Sequence, residues 1–318
     1  MHRILVLSNC DLCLQALEPL QNVGQVDYRP AATRAEVFDI LADYDVVMCD
    51  GRVKFDREML AVSGRVRIIA TPSTGTDHLD KKCLAERGIE WIDIATEYEL
   101  LDQFTATAEG AWLLLLACVR RLPAQFDRAK RGEIGPDPTG PTPHQLAGLT
   151  LGIAGYGRLG HMMGQYGKAF RMRVLAFDKK KIAEPGVEQV DLDTFLSESD
   201  VITLHLHLTD ETRHFFDRNR IARMKPGVIL VNTARGDLID EDAFVDALES
   251  GHLGAAGVDV VHDEWDVKRG EHRLHQYART HENLIITPHV SSGCIEGMAG
   301  ARMFVAEKLA KRLGAEST

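Results

Sequence analysis

Residues 149–178 read LTLGIAGYGRLGHMMGQYGKAFRMRVLAFD, and the fold follows from that stretch. An apolar run passes without a break into Gly155-Tyr156-Gly157-Arg158-Leu159-Gly160. A helix-length segment comes next, and a second apolar run closes on Asp178. The pattern predicts strand, glycine turn, helix, strand. In such a unit the first glycine permits the tight turn, the second lets a pyrophosphate approach the backbone, and the third lets helix and strand pack closely. Amides at the helix start then face the phosphates, where the helix dipole favours negative charge. An acid 18 residues after Gly160 falls where a ribose needs it. A carboxylate there accepts from both ribose hydroxyls of NAD and repels the 2′-phosphate of NADP. NAD is therefore the expected cofactor, and the following Lys179-Lys180-Lys181 is read as a solvated loop.

The rest of the chain keeps the same rhythm. Apolar runs at 4–7, 46–49, 68–70 and 91–94 alternate with helical patterns at 14–22, 34–42, 56–62 and 79–87, which predicts a parallel-sheet domain. A long helical pattern is expected from Thr105 to about Lys130, its apolar centre on one face of an amphipathic helix. A loop rich in proline and glycine then leads to the glycine-turn unit. Further strands are expected at 201–206, 228–232, 255–260 and 284–287, with helices near 193–198, 217–222 and 240–250 and a last one at about 293–313. The fold class is α/β: two doubly wound, Rossmann-like parallel sheets with a cleft between them. The expected division is 1–101 plus 290–318 for the substrate domain and 102–289 for the nucleotide domain.

Composition excludes several classes. The 318 residues are 45% hydrophobic and 26% charged, an ordinary globular balance that leaves room for two domains. A formal charge of −10 disfavours nucleic acid and anionic membranes as partners. No apolar run has the length of a membrane span, and the N-terminus lacks the features of a signal peptide, so a cytoplasmic protein is expected. Six scattered cysteines fit reduced thiols. Cys10 and Cys13 form a CxxC without the second pair a zinc site would need, so no metal is expected.

The segment MKPGVILVNTARGDLIDEDAFVDALESGHLGAAGVDV, together with Thr74-Gly75-Thr76-Asp77, GYGRLG and the closing NLIITPH, resembles the D-2-hydroxyacid dehydrogenases. That family includes phosphoglycerate, glycerate and D-lactate dehydrogenases. The resemblance implies NAD-linked interconversion of a small 2-hydroxy acid and its 2-oxo acid, usually by a homodimer. It also admits a non-catalytic member that senses NAD and binds other proteins. Three residues would carry the chemistry. Arg235 follows an apolar strand, and its guanidinium can clamp a carboxylate with two bonds. His289 closes another strand and suits acid/base work near neutrality. Glu264 matches the glutamate that hydrogen-bonds the family's histidine. Carried over as cofactor contacts are Gly155, Gly157, Arg158, Leu159, Gly160, Asp178, His205, Leu206, Thr233, Ala234 and Asp259, and as substrate contacts the amides of Thr74 and Gly75. The chain departs from the family pattern at Ser73, His207, Trp265 and Ser291-Ser292, positions expected to line the cleft. Arg52 and Lys54 form a cation pair that could favour a phosphorylated substrate, although two exposed basic residues is the plainer expectation.

Overall fold

The computed structural model describes residues 1–137, 140–264 and 271–315. The chain divides into two compact units, Met1–Phe104 with Gly293–Thr318, and Thr105–Ser292. Both borders lie three residues beyond those set from the sequence. Phe104 stays with the first unit because its ring lies over Gly300 of the C-terminal helix Ile295–Gly314, where an added Cβ would meet it at 3.1 Å.

The first unit holds five parallel strands: β1 (His2–Val6), β2 (Gly24–Tyr28), β3 (Val46–Met48), β4 (Ile68–Ala70) and β5 (Glu90–Ile92). Their order is β2-β1-β3-β4-β5. Because successive side chains point to opposite faces, Ile4 and Val6 pack with Val305, Leu309 and Leu313 of the C-terminal helix. Leu5 and Val47 pack with Val37, Met59 and Leu60 on the other face. Strand β2 has no counterpart among the expected strands. It lies at the sheet edge, buries only Gly24, and so carries no apolar run.

The second unit holds seven parallel strands: β6 (Thr150–Ala154), β7 (Arg173–Phe177), β8 (Val187–Gln189), β9 (Val201–Leu204), β10 (Val228–Asn232), β11 (Leu253–Val258) and β12 (Leu284–Ile286). Their order is β12-β11-β10-β9-β6-β7-β8. Strand β6 is buried at all five positions, which is why it reads as an unbroken apolar run. Chain order reverses between β6 and β9, the kind of switch point at whose carboxyl ends open α/β sheets bind ligands.

Two expectations are corrected here. The long helix is two helices, Ala106–Val119 and Leu122–Lys130, parted at Arg121, whose φ of 51° lies in the left-handed region. Pro123 has no N–H and fixes its own φ, so it belongs in a helix's first turn rather than its interior. Nor is Ala106–Val119 amphipathic: Ala108, Ala111, Trp112, Leu114, Leu115, Ala117, Cys118 and Val119 are all buried. It packs on β10 and β11 and against the helix Arg158–Ala169, and these cover it nearly all round. Among the described residues no helix is long and apolar enough to cross a membrane.

Candidate active site

The glycine turn is built by contacts that leave little freedom. Gly155 has φ 89°, where an L side chain is strained, and a Cβ there would meet the His205 carbonyl oxygen at 2.7 Å. At Gly160 a Cβ would lie 2.1 Å from the Gly155 carbonyl oxygen, so the helix Arg158–Ala169 rests directly on the turn. Gly157, the N-cap, is different: a Cβ there would meet nothing within 4 Å. Asp178 follows β7, and its carboxylate accepts from the amide of Tyr156 (2.7 Å) and from that of Lys180 (2.7 Å). Turn and carboxylate are thereby fixed to each other. Lys179 pairs with Glu211.

Three features of this region fit a dinucleotide. Open space over Gly157 is the cradle that a side chain would fill. The Thr233 hydroxyl, at the end of β10, is buried with no partner among the described residues. The same holds for His205 Nδ1 after β9, whose Nε2 lies 2.9 Å from the Thr203 hydroxyl. Burial pushes the His205 imidazole down to about 4, so it stays neutral at physiological pH. Buried polar atoms without partners are rare and call for an explanation. A ligand with ribose, phosphate and amide groups supplies one. Arg158 and Leu159 open the helix behind the turn, and Leu206 sits against Gly155.

The three residues expected to carry chemistry follow three adjacent strands, β10, β11 and β12. After β10, the fully buried Asn232 accepts from the Ala234 amide (3.0 Å) and donates to the Arg235 carbonyl (2.8 Å), shaping the bend that presents Arg235. Arg235 donates through Nη1 to the Ala234 carbonyl at 2.6 Å. Beyond β11, Glu264 and His289 meet, with Oε1 and Nδ1 2.5 Å apart. His289 has φ 54°, a conformation that needs support in any residue but glycine. Asp259 supplies it. Its buried carboxylate accepts from the Thr287 hydroxyl (2.5 Å), the Val290 amide (2.9 Å) and the Ser291 amide (2.8 Å). Its carbonyl accepts from the His289 amide at 2.9 Å. Asn232 and Thr287 were not singled out from the sequence. The available signal was a polar residue closing each apolar strand.

The remaining expectations sort as follows. Thr74 and Gly75 lie in the loop after β4, and their amides donate to no acceptor among the described residues. Arg52 has another occupation: it binds Asp50 through Nε and Nη2 (both 2.9 Å), the Pro30 carbonyl (2.7 Å) and the Leu7 carbonyl (2.8 Å). It ties together the loops after β1, β2 and β3. His207 is exposed in a loop whose carbonyl accepts from Thr212 at 2.6 Å. Ser291 packs on Gly110, where a Cβ would meet it at 2.6 Å. Trp265 lies outside the described residues. Cys10 and Cys13 are buried free thiols, and burial pushes Cys10 up to about 12, far from a reactive thiolate.

Comparison with known proteins adds an independent line. Residues 112–291 match the model of the D-isomer specific 2-hydroxyacid dehydrogenase NAD-binding domain, and residues 4–99 that family's catalytic domain. Hydroxypyruvate reductase of Thermotoga maritima is 32% identical over 316 residues, covering 99% of this chain and 100% of that one. D-3-phosphoglycerate dehydrogenase of Methanocaldococcus jannaschii is 33% identical over 95% of this chain, which spans 56% of that relative's length. D-lactate dehydrogenase of Aquifex aeolicus, solved with NAD and lactic acid, superposes with a TM-score of 0.84 at 29% identity over 99% of this chain and 95% of that one. The chain thus belongs to the D-isomer specific 2-hydroxyacid dehydrogenase family and is an NAD-dependent oxidoreductase of that class.

Proposed function

We propose that the enzyme reduces a small, unphosphorylated 2-oxo acid to the D-2-hydroxy acid, and runs the reverse, with His289 as acid/base. One observation carries this reading: adjacent strands β10, β11 and β12 each lead into one functional group, and His289 Nδ1 lies 2.5 Å from Glu264. NAD, when bound, supplies or accepts the hydride. Gly155, Gly157, Arg158, Leu159 and Gly160 would hold its pyrophosphate. Asp178 would hold the ribose, and His205, Leu206, Thr233, Ala234 and Asp259 would line the nicotinamide half. Arg235 clamps the substrate carboxylate and polarises the neighbouring carbonyl. The amides of Thr74 and Gly75 are read as substrate contacts. Since Nδ1 is committed to Glu264, proton exchange with the substrate falls to Nε2. In reduction the proton passes from Nε2 to the carbonyl oxygen as negative charge grows there, and in oxidation it returns. Glu264 faces the imidazolium that reduction consumes and oxidation forms, and it holds the ring in place.

Arg52 bears on whether the substrate carries a phosphate. Its donors already serve Asp50 and two carbonyls, so it is not poised for a phosphate. The hydroxypyruvate reductase that this chain matches end to end points the same way. NADH is expected to outperform NADPH, because Asp178 stands where a 2′-phosphate would come and Lys179 is held by Glu211. A rate panel with NADH and glyoxylate, hydroxypyruvate, pyruvate, phenylpyruvate and phosphohydroxypyruvate tests the assignment. The highest kcat/KM is expected among the first three, and a preference for phosphohydroxypyruvate would refute it.

We also propose a cytoplasmic homodimer. Leu113, Leu122, Phe126, Ile134 and Phe170 are large apolar residues left exposed on this unit, the kind of surface that marks a protein interface. Free buried thiols suit a reducing compartment. Sedimentation should show a dimer that the pair Leu122→Glu and Phe126→Glu converts to a monomer. A wild-type monomer would discard the dimer.

A further inference from the structure

The loop that presents Arg235 and the loop that presents Glu264 touch along their backbones. A Cβ at Gly236 would lie 2.2 Å from the Val261 carbonyl carbon and 2.4 Å from the His262 nitrogen, so only glycine lets them meet. Beside that contact stands an ion pair. Asp237 binds His262 Nδ1 through Oδ1 and Arg213 through Oδ2. The neighbouring Asp263 has φ 47°, so the short path from His262 to Glu264 runs through a backbone conformation that needs external support.

We propose that Asp237 and His262 are a positioning pair that locks the Arg235 loop to the Glu264 loop, keeping the carboxylate behind His289 in register with the substrate-clamping guanidinium. This rests on the roles given above to Arg235, Glu264 and His289. Neither member of the pair touches substrate; each acts through the loop it holds.

The surroundings favour a charged His262. Its bond to Asp237 raises its pKa, burial opposes, and Asp263 adds further negative charge, as does Glu241 where its buried carboxyl is ionised. Nε2 lies 3.0 Å from Asp263 Oδ2. Burial works against the Asp237 carboxylate, yet bonds from His262 and Arg213 bring it below the usual range. From the helix Arg273–Ala278 side, His272 Nε2 lies 3.1 Å from the His262 carbonyl oxygen and 3.2 Å from Glu241 Oε2. Arg273 pairs with Asp242 close by. The groups facing His262 are thus three carboxylates, one buried histidine whose own charge is disfavoured by burial, and arginines that each have an acid partner.

The test is steady-state reduction of hydroxypyruvate by NADH with Asp237→Asn, His262→Gln, the double variant and His262→Lys, each checked for folding by thermal unfolding. Each single variant should lower kcat about five- to tenfold, with the double no worse than the worse single, because both remove one coupling. KM for NADH should stay within about twofold, since the nucleotide-binding turn is elsewhere. His262→Lys keeps the charge and should return kcat to within about threefold of wild type. The wild-type to His262→Gln ratio should fall toward one as pH rises and His262 loses its proton, which a merely structural role would not produce. Additive losses, a ratio independent of pH, or a folded His262→Lys no better than His262→Gln would overturn the pair. His289→Ala, run alongside, separates the two failures. If it is inactive while Asp237→Asn and His262→Gln keep wild-type kcat, only the positioning pair is wrong. If it is active, the acid/base reading itself is wrong.

Discussion

Gly157 and Gly160 lie three residues apart and answer to different constraints. A methyl group at Gly160 would sit 2.1 Å from a backbone oxygen that cannot swing aside, whereas at Gly157 it would meet nothing of the protein. Gly160→Ala should therefore cost stability, about 1–3 kcal/mol as for other overpacked sites. It should weaken NADH binding as a consequence. Gly157→Ala should leave the unfolding temperature unchanged and still weaken NADH binding, since the methyl would enter the space proposed for the pyrophosphate. Calorimetric unfolding with a fluorescence titration of NADH separates the two. A Gly157→Ala protein that binds NADH like the wild type would show that the pyrophosphate does not pass over this residue.

At the scale of elements, the helix Glu241–Glu249 makes a pH-dependent contribution. Burial pushes the Glu241 carboxyl up to about 7, with nearby His262 only partly relieving it. In the unfolded chain the same group titrates near ~4.3. The folded state therefore keeps a proton that the unfolded chain gives up. This contribution is complete below the unfolded value and is lost as pH rises through about 7. Thermal stability should decline between pH 5 and pH 8, and Glu241→Gln should flatten that decline. An identical slope in the variant would count against the buried carboxyl as its source. Elements also differ in how well the sequence announces them. Strands β6 and β10 are buried through nearly their whole length and read as apolar runs. The edge strands β2 and β8 bury at most one residue each, and the short helix Arg273–Ala278 buries two, so none of the three leaves a clear period. The break at Arg121 depends on one left-handed residue, which composition does not reveal. The site shows the same division. Arg235, Glu264 and His289 were legible through the motifs around them. The contact of Thr287 with Asp259 and that of Asp237 with His262 join positions far apart in sequence and are visible only where neighbouring strands align them, whereas the bend held by Asn232 is local.

For the whole molecule, each unit is a parallel sheet with helices, and the second carries the nucleotide features and the catalytic candidates at the carboxyl ends of one set of strands. In the proposed reaction His289, held by Glu264 and by the Asp259 clamp, moves the proton, and the bound nucleotide would supply or accept the hydride. Reduction consumes the protonated ring and oxidation the neutral one, so the two directions should respond to pH in opposite senses. The most direct measurement is single-turnover reduction of hydroxypyruvate by His289→Ala already saturated with NADH, compared with the wild type at neutral pH. A fall of roughly two to four orders of magnitude in rate, with NADH affinity retained, is the predicted result for a lost acid/base group. Turnover near that of the wild type would contradict the account.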